Sequence, residues 1–598
     1  MEEAPTITPS DPASSWQLLL VSAKTASALE TATANLANHL RKQPTLNLAD
    51  VAYTLQVGRQ RFPYRRALVC QTTEEAINAL ETLDPLQLLT SYERATERPV
   101  AFMFSGHGTG YLNMGLGLYK TEPVFREAFD RCCDLLLPLL GFDLRPILYP
   151  EADQADQAEE QMKQFIVSQP IYFAFEYALA QLWLSWGLRP QAMIGHSSGE
   201  YVAACLANVF TLEEGLALIA ARARCLQQLP PGAMLSLPLS EAEVQPFLGE
   251  ELSLALINGP TQCVVSGSIQ AVDALEKTLR DQEIDCVRIK INYAAHSYML
   301  DDILAPFAEE VKKITLHSPQ IPYVSNVTGT WATAAQTTDP NYWVRHLRQT
   351  VRLAKGLQCL LEKDPALVLL EIGPGSTLSR LAQQQKASAK QLFFNSVRSA
   401  RKEQPDVAFL FETLGQLWLA GVSVNWAGFY THQRRYRLPL PTYPFERQRY
   451  WITPPQWLNG PKATPQSASV SATIEAPNEM AETLYPNSQP EPSYTRPQLR
   501  SLYVAPTTET EHTIAQIWQE MLGFEQVGVE DNFFELGGDS LLATRIASQV
   551  RQMYQVSFSV RVLFETPTIS ALAKRLELVR TASMPFDEAM EDEDEFEW

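Results

Sequence analysis

Ala192-Met193-Ile194-Gly195-His196-Ser197-Ser198-Gly199 is the stretch on which the fold turns. Three apolar residues run into a Gly-x-Ser-x-Gly turn, and a helical pattern follows from Gly199. A turn from strand to helix this tight admits only small residues beside the serine. It presents the hydroxyl at a helix N-terminus, where the next backbone N–H is placed to stabilise an oxyanion. Ser197 is therefore the candidate nucleophile.

The same alternation extends outward. Trp16 to Ala23 reads as a strand, and Thr25 to Leu40 as an amphipathic helix with Leu29, Ala32, Leu36 and Leu40 on one face. A strand near Ala67 to Cys70 completes a small α/β unit ending near Leu89. A larger α/β pattern begins at Arg98, where the strand Val100 to Phe104 enters the turn Ser105-Gly106-His107-Gly108-Thr109-Gly110. Further strands are expected at Leu254 to Asn258, Cys263 to Ser266 and Val368 to Ile372. Strands alternating with helices predict the α/β class and a parallel, doubly wound sheet.

Composition sets bounds on function. The 598 residues are too many for one core. A hydrophobic share of 45% and a charged share of 19% describe ordinary globular material. The formal net charge of −20 argues against nucleic acid as a partner, because phosphate backbones want a basic stripe. Eight acids lie between Asp587 and Glu597, in an acidic tail that also carries Phe586, Phe596 and Trp598. No apolar run is long enough for a membrane span, and the first residues lack a secretory signal pattern. The eight cysteines are scattered without a Cys-x-x-Cys pair. Reduced structural thiols in a cytoplasmic protein, and no metal, are the expectation.

A serine nucleophile needs a base, and the chain has only eight histidines. His196 adjoins Ser197 and is expected to point away around the turn. His296 follows the apolar alternation Val287 to Ile291, which would place it at a strand end; it is either that base or a structural residue. On the helix opened by the capping box Thr211 and Glu214, Arg222 flanks the apolar stripe while Arg224 faces water. A partly buried guanidinium wants a carboxylate, either from the protein or from a substrate.

After Trp451 the composition changes. Residues Thr453 to Pro506 are rich in Pro, Ser, Thr, Ala and Gln and read as a flexible linker. Order returns near Glu509 with Ile514, Ile517, Trp518 and Leu522 at helical spacing. In Gly537-Gly538-Asp539-Ser540, the glycines allow a tight turn into a helix whose buried side is Leu542, Ile546, Val550 and Met553. Ser540 is left exposed at its end.

Several motifs occur in the order seen in acyltransferase domains of modular polyketide synthases, and the match is also similar to bacterial malonyl-CoA:carrier-protein transacylases. They are Phe104 to Gly108, Ser168-Gln169-Pro170, Gly195 to Glu200, Ala221-Arg222, Asn258-Gly259-Pro260, Ala295-His296-Ser297 and Glu371 to Gly375. Residues 15–90 resemble the linker domain that precedes such acyltransferases, and Tyr443 to Trp451 the segment that wraps back over it. Phe533-Phe534, the Ser540 motif and Leu563 to Thr568 resemble phosphopantetheine carrier domains.

The resemblance implies an α/β-hydrolase-like acyltransferase core with a small ferredoxin-like subdomain, and a helical-bundle carrier. Its domains would be an α/β linker domain over 1–98, the acyltransferase over 99–400 with the small subdomain over about 230–293, and a wrapping segment over 401–452. The flexible linker over 453–508, the carrier over 509–580 and the acidic tail over 581–598 would follow.

By resemblance, Ser197 is the nucleophile and His296 the general acid/base, oriented by a backbone carbonyl near the Gly373-Pro374-Gly375 turn. Backbone N–H groups of His107 and Ser198 form the oxyanion hole, and Arg222 grips a malonyl carboxylate. Gln169, Asn258, Tyr293 and Ala295 line the substrate pocket. The implied cofactor is 4'-phosphopantetheine, covalent on Ser540, with acyl-CoA as substrate. Two departures from the family pattern stand out. His107 replaces the usual Gln, and Tyr293-Ala294-Ala295-His296 has Ala295 where malonyl-selective domains carry Phe, which opens the pocket to a substituted malonyl group.

The expected function is transfer of a malonyl-type group from malonyl-CoA or substituted malonyl-CoA through acyl-Ser197 to the arm on Ser540. Loading of a starter unit, hydrolysis of stalled acyl thioesters and a silent scaffold are the alternatives. Implied partners are a phosphopantetheinyl transferase and a ketosynthase or downstream synthase module. The acidic tail is either a docking element for that module or a solvated segment.

Overall fold

The computed structural model describes residues 9–12, 15–94, 97–106, 108–289 and 291–447, and in the carrier region 503–522, 524–533, 536, 546, 550, 553–554 and 566–582. His107, Ser540, the stretch 448–502 and the acidic tail from 583 lie outside them. The chain divides into two units, Met1–Thr453 and Pro454–Trp598.

The first unit opens with β1 (Gln17–Ala23), β2 (Tyr64–Cys70) and β3 (Leu88–Tyr92), an antiparallel sheet in that order. Between β1 and β2 lies the helix Ala26–Lys42, which starts where the Thr25 side chain accepts the Ala28 N–H. Its last turn holds His39, Arg41 and Lys42, which suit the negative end of the helix dipole. The following helix, Leu48–Val57, has no counterpart in the sequence reading. Most of its residues are buried, so no polar face marks its period.

The main sheet comes next, with one insertion. Its first strands are β4 (Val100–Phe104) and β5 (Pro190–Gly195). The insertion holds β6 (Ala233–Leu237), β7 (Leu252–Gly259), β8 (Gln262–Gly267) and β9 (Val287–Arg288). The chain then returns through β10 (Tyr323–Ser325), β11 (Thr330–Trp331), β12 (Val368–Pro374) and β13 (Leu392–Val397). The main sheet runs β11-β10-β5-β4-β12-β13, parallel except for the β10–β11 edge. Every residue of β4 and β12 is buried, as expected of parallel strands covered on both faces. The strand order reverses between β4 and β12, and the crevice above such a reversal is where ligands bind in sheets of this kind. The turns at Ser105-Gly106, Ser197 and Gly375 all leave C-terminal strand ends there.

The insertion forms its own antiparallel sheet, β7-β8-β6-β9, with the helix Ile269–Asp281 between β8 and β9. A strand–helix–strand–strand–helix–strand order with this arrangement is ferredoxin-like. One expectation fails here. The alternation Val287 to Ile291 pairs over only two residues, because the Ile291 N–H turns back to the Ile289 carbonyl and leaves the ladder. His296 therefore lies in the loop after β9 and not at a strand end.

Residues 430–447 return across the first sheet. The Tyr430 hydroxyl donates to Gln56 Oε1 (2.6 Å), Leu438 N–H to Thr54 Oγ1 (2.9 Å), and Arg59 Nη2 to the Leu440 carbonyl (3.2 Å). This returning segment also meets the start of the unit. Arg434 N–H donates to Asp11 Oδ2 (2.7 Å), and its guanidinium to Asp11 Oδ1 (2.9 Å).

In the second unit, the helices Glu509–Leu522 and Ile569–Ala582 share a core of Ile514, Ile517, Trp518, Phe533, Ile546, Val550, Leu572 and Leu576. All eight cysteines are free thiols. No helix among the described residues is long and apolar enough to cross a membrane.

Candidate active site

The turn after β5 is built by space. A Cβ on Gly195 would overlap the Glu200 amide, and one on Gly199 would overlap the Phe104 carbonyl, so only glycine fits beside the strand it crosses. Ser197 between them has φ of 51°, the left-handed region that an L-residue with a Cβ seldom adopts. The helix Gly199–Leu206 starts immediately after, with Ser198 at its N-cap.

The serine and the distant histidine meet. Ser197 Oγ lies 2.8 Å from His296 Nε2, and His296 is also left-handed, with φ of 51°. Strained backbone at two contacting residues marks a functional site. The His296 loop is pinned by Ser297 Oγ donating to the Ala294 carbonyl (2.8 Å) and Tyr298 N–H donating to Ser253 Oγ (3.1 Å). Burial, reinforced by the Arg222 charge, holds the His296 pKa well below 6.5, so the ring is neutral. The Gln349 backbone opposes that shift, while Nδ1 forms no hydrogen bond among the described residues. The carbonyl expected near Gly373-Pro374-Gly375 makes no hydrogen bond to His296 among the described residues, and Gly373 packs against Ser105 and Glu176. Burial also lowers His196, to about 4, with Asn258 and the Ser105 backbone opposing the shift.

Arg222, on the helix Leu212–Gln227, is buried as the periodicity predicts, and the capping box of Thr211 and Glu214 is formed. Its Nη1 donates to Gln169 Oε1, and its guanidinium lies 5.8 Å from the centre of the Tyr201 ring. No carboxylate pairs with it among the described residues, and Nε has no hydrogen-bond partner there. Its charge reaches His296 and Tyr293, which places it beside the same site. Tyr293 packs edge-on against Phe165, with ring centres 4.2 Å apart, and shares a buried cluster with Ala295.

The loop after β4 rests on two buried carboxyls. Gly106 N–H donates to Glu176 Oε1 (2.8 Å), and Ser105 Oγ donates to Glu371 Oε1 (3.0 Å). Burial raises the pKa of Glu176 well above its ordinary value, against the opposing hydrogen bond from Gly106. Glu176 and Asn326, whose side chain accepts from the Ser197 amide, belong to no motif of the site. An acid inside the apolar run Tyr172 to Leu179 was the available signal for the first. Nothing local marked the second. Of the other expected site residues, His107 and Ser540 lie outside the described residues.

A serine on a strand-to-helix turn, a neutral histidine within hydrogen-bond reach and a buried guanidinium beside them define an acyl-group-transfer enzyme. Residues 101–424 match the acyl transferase domain family, and the chain belongs to it. Residues 512–576 match the phosphopantetheine attachment site family and residues 17–80 the CurL-like, PKS C-terminal family, so the chain is an acyltransferase–carrier didomain of polyketide synthase type.

Among curated relatives, a phenolphthiocerol/phthiocerol polyketide synthase protein of Mycobacterium tuberculosis is 33% identical over 581 residues, covering 93% of this chain and 36% of that protein. The spectinabilin polyketide synthase system protein NorB of Streptomyces orinoci is 34% identical over 442 residues, covering 72% of this chain and 20% of that protein. The chain thus spans about a third or less of these relatives' length. Among solved structures, the acyl transferase domain of ZmaA superposes with a TM-score of 0.69 at 43% identity, covering 72% of this chain and all of that one. The acyl transferase domain of SpnD, in complex with 2-(pent-4-yn-1-yl)malonyl, gives 0.61 at 40% identity, covering 68% of this chain and 96% of that one.

Proposed function

We propose that the first unit moves a malonyl-type acyl group from acyl-CoA through Ser197 to the phosphopantetheine arm on Ser540. The observation that carries the malonyl assignment is Arg222. A buried guanidinium without a carboxylate is costly, and a dicarboxylate thioester brings the missing anion. SpnD, a structural neighbour, is described with a substituted malonyl group, and the small Ala295 beside Tyr293 suits such a substituent here.

His296 takes the Ser197 proton as Oγ forms its bond to the thioester carbon. By the family resemblance, backbone N–H groups of Ser198 and His107 would hold the oxyanion. The C–S bond then breaks, and the departing coenzyme A sulfur takes the proton from His296. In the second half His296 removes the proton of the incoming thiol, the new C–S bond forms, and Ser197 Oγ leaves and recovers its proton. The arm supplies that thiol, and Ser540 would hold it. General acid–base assistance of this kind contributes about 10²–10⁴ in rate. Gln169 would hold Arg222 in register, and Asn258 would line the approach beside His196.

This reading assigns a phosphopantetheinyl transferase to install the arm and a ketosynthase or downstream module to consume the acyl group, with the acidic tail as its contact. It places the protein in the cytoplasm. The test is the intact mass of the holo protein offered malonyl-, methylmalonyl-, propionyl- and acetyl-CoA together. A mass gain from the dicarboxylates alone is expected. A gain from acetyl or propionyl overturns the malonyl assignment in favour of starter loading, and rapid loss of a malonyl adduct to water favours a hydrolase.

A further inference from the structure

Asn326 follows β10 directly, is buried, and reaches across to the turn that carries Ser197. Its Oδ1 accepts the Ser197 N–H at 2.7 Å, and its Nδ2 donates to the Gly195 carbonyl at 2.6 Å. One carboxamide thus grips both sides of the residue whose φ is 51°. Its own N–H donates to Glu200 Oε2 at 2.7 Å, in the first turn of the helix after the nucleophile. Glu200 is buried and accepts the Tyr342 hydroxyl, which also lies 2.6 Å from Ser325 Oγ. The three residues that define the bend, 195, 197 and 200, are therefore tied to one strand end. Because its amide is occupied, Ser197 contributes no donor of its own to an oxyanion.

We propose that Asn326 is a positioning residue that holds Ser197 in its left-handed conformation, with its hydroxyl aimed at His296. Both functions of the amide are needed: an acceptor for the serine N–H and a donor for the glycine carbonyl. Asp in its place keeps the acceptor and sets a carboxylate against the Gly195 carbonyl. Ala removes both bonds. Asn326 touches none of Arg222, Gln169 or Tyr293 in any hydrogen bond, so substrate affinity should not depend on it. The inference rests on Ser197 being the acylated residue.

The experiment uses the holo protein with Asn326→Asp and Asn326→Ala, and reads two things beside the melting temperature. One is the rate of covalent labelling by a fluorophosphonate, which reports serine reactivity without coenzyme A. The other is the split of acyl transfer into kcat and KM. We expect labelling and kcat to fall roughly 10²-fold in Asn326→Ala and less in Asn326→Asp, with KM within about twofold, since a small misplacement of a reacting group costs that much. Folded variants that label at the wild-type rate, or that raise KM alone, overturn the proposal. So does failure of both variants to fold, which would make Asn326 a residue of the fold and not of the serine. If the wild type transfers acyl groups but does not label at Ser197, the reading of the nucleophile itself has failed.

Discussion

Arg222 and Gln169 form a hydrogen-bonded pair in which the guanidinium is buried and the partner is neutral. Each keeps a further polar atom without a partner, Nε on Arg222 and Nε2 on Gln169. Such a pair is poorly satisfied by itself and well satisfied by a carboxylate, so its contribution to binding and its contribution to folding should have opposite signs.

Substitution Arg222→Met, which keeps the bulk, should lower kcat/KM for malonyl-CoA by roughly 10²–10³-fold, the range for losing one partner of a buried charge pair. Activity with propionyl-CoA should be unchanged or higher. The melting temperature should hold or rise, because an uncompensated charge leaves the core. Parallel kinetics and calorimetry on one variant check both halves.

The pH dependence follows from His296. A base with its pKa well below 6.5 remains neutral throughout the neutral range, so the rate of coenzyme A release in the first turnover should show no acid limb near 6.5. Stability should behave differently. Unfolded histidines bind protons below about 6.5, whereas buried His296 does not, and His196 takes its proton only near 4. The unfolded state then holds more protons, so stability falls as pH drops from about 6.5 towards 4. Urea unfolding at stepped pH reads that slope, and His196→Asn should flatten part of it.

Burial disfavours the charged form of Glu176, so a neutral glutamine should replace it at little cost. Glu176→Gln keeps an acceptor for Gly106 N–H and should change stability by less than about 1 kcal/mol. Glu176→Leu leaves that buried donor unpaired, at a cost of about 1–3 kcal/mol, and should slow acylation as the loop loosens. Denaturant midpoints for the pair, with transfer rates beside them, distinguish the two.

Ala295→Phe tests the shape of the pocket. Filling space beside Tyr293 should reduce kcat/KM for methylmalonyl-CoA relative to malonyl-CoA by roughly 10–200-fold, the discrimination a methylene-sized difference provides. Competition between the two thioesters, read by mass on the carrier, measures the ratio directly.

Much of the core was legible because the signals were local. The β4 run Val100 to Phe104 is uninterrupted apolar sequence, and it forms a strand with those ends. The Thr211 and Glu214 capping box fixed a helix start, and the period that followed put Arg222 inside. The reading faltered where the cause lay far along the chain. Periodicity cannot reveal that His296 meets Ser197 from 99 residues away, or that Asn326 crosses to Ser197 over a separation of 129 residues. It also overextended β9, because alternation at Ile289 and Ile291 looks the same whether the backbone pairs or turns back on itself. The helix Leu48–Val57 was missed for the opposite reason, since a segment buried nearly all round has no contrast to detect.

The clasp between Asp11 and Arg434 gives the catalytic unit a property that no active-site residue confers. Asp11, near the start of the unit, is held by Arg434 on the segment that returns over the first sheet. Shortening the unit from its far end therefore also releases a tie on its near end. Grafts that keep residues 9–447 together retain both halves of the clasp, whereas a cut upstream of Arg434 discards one of them.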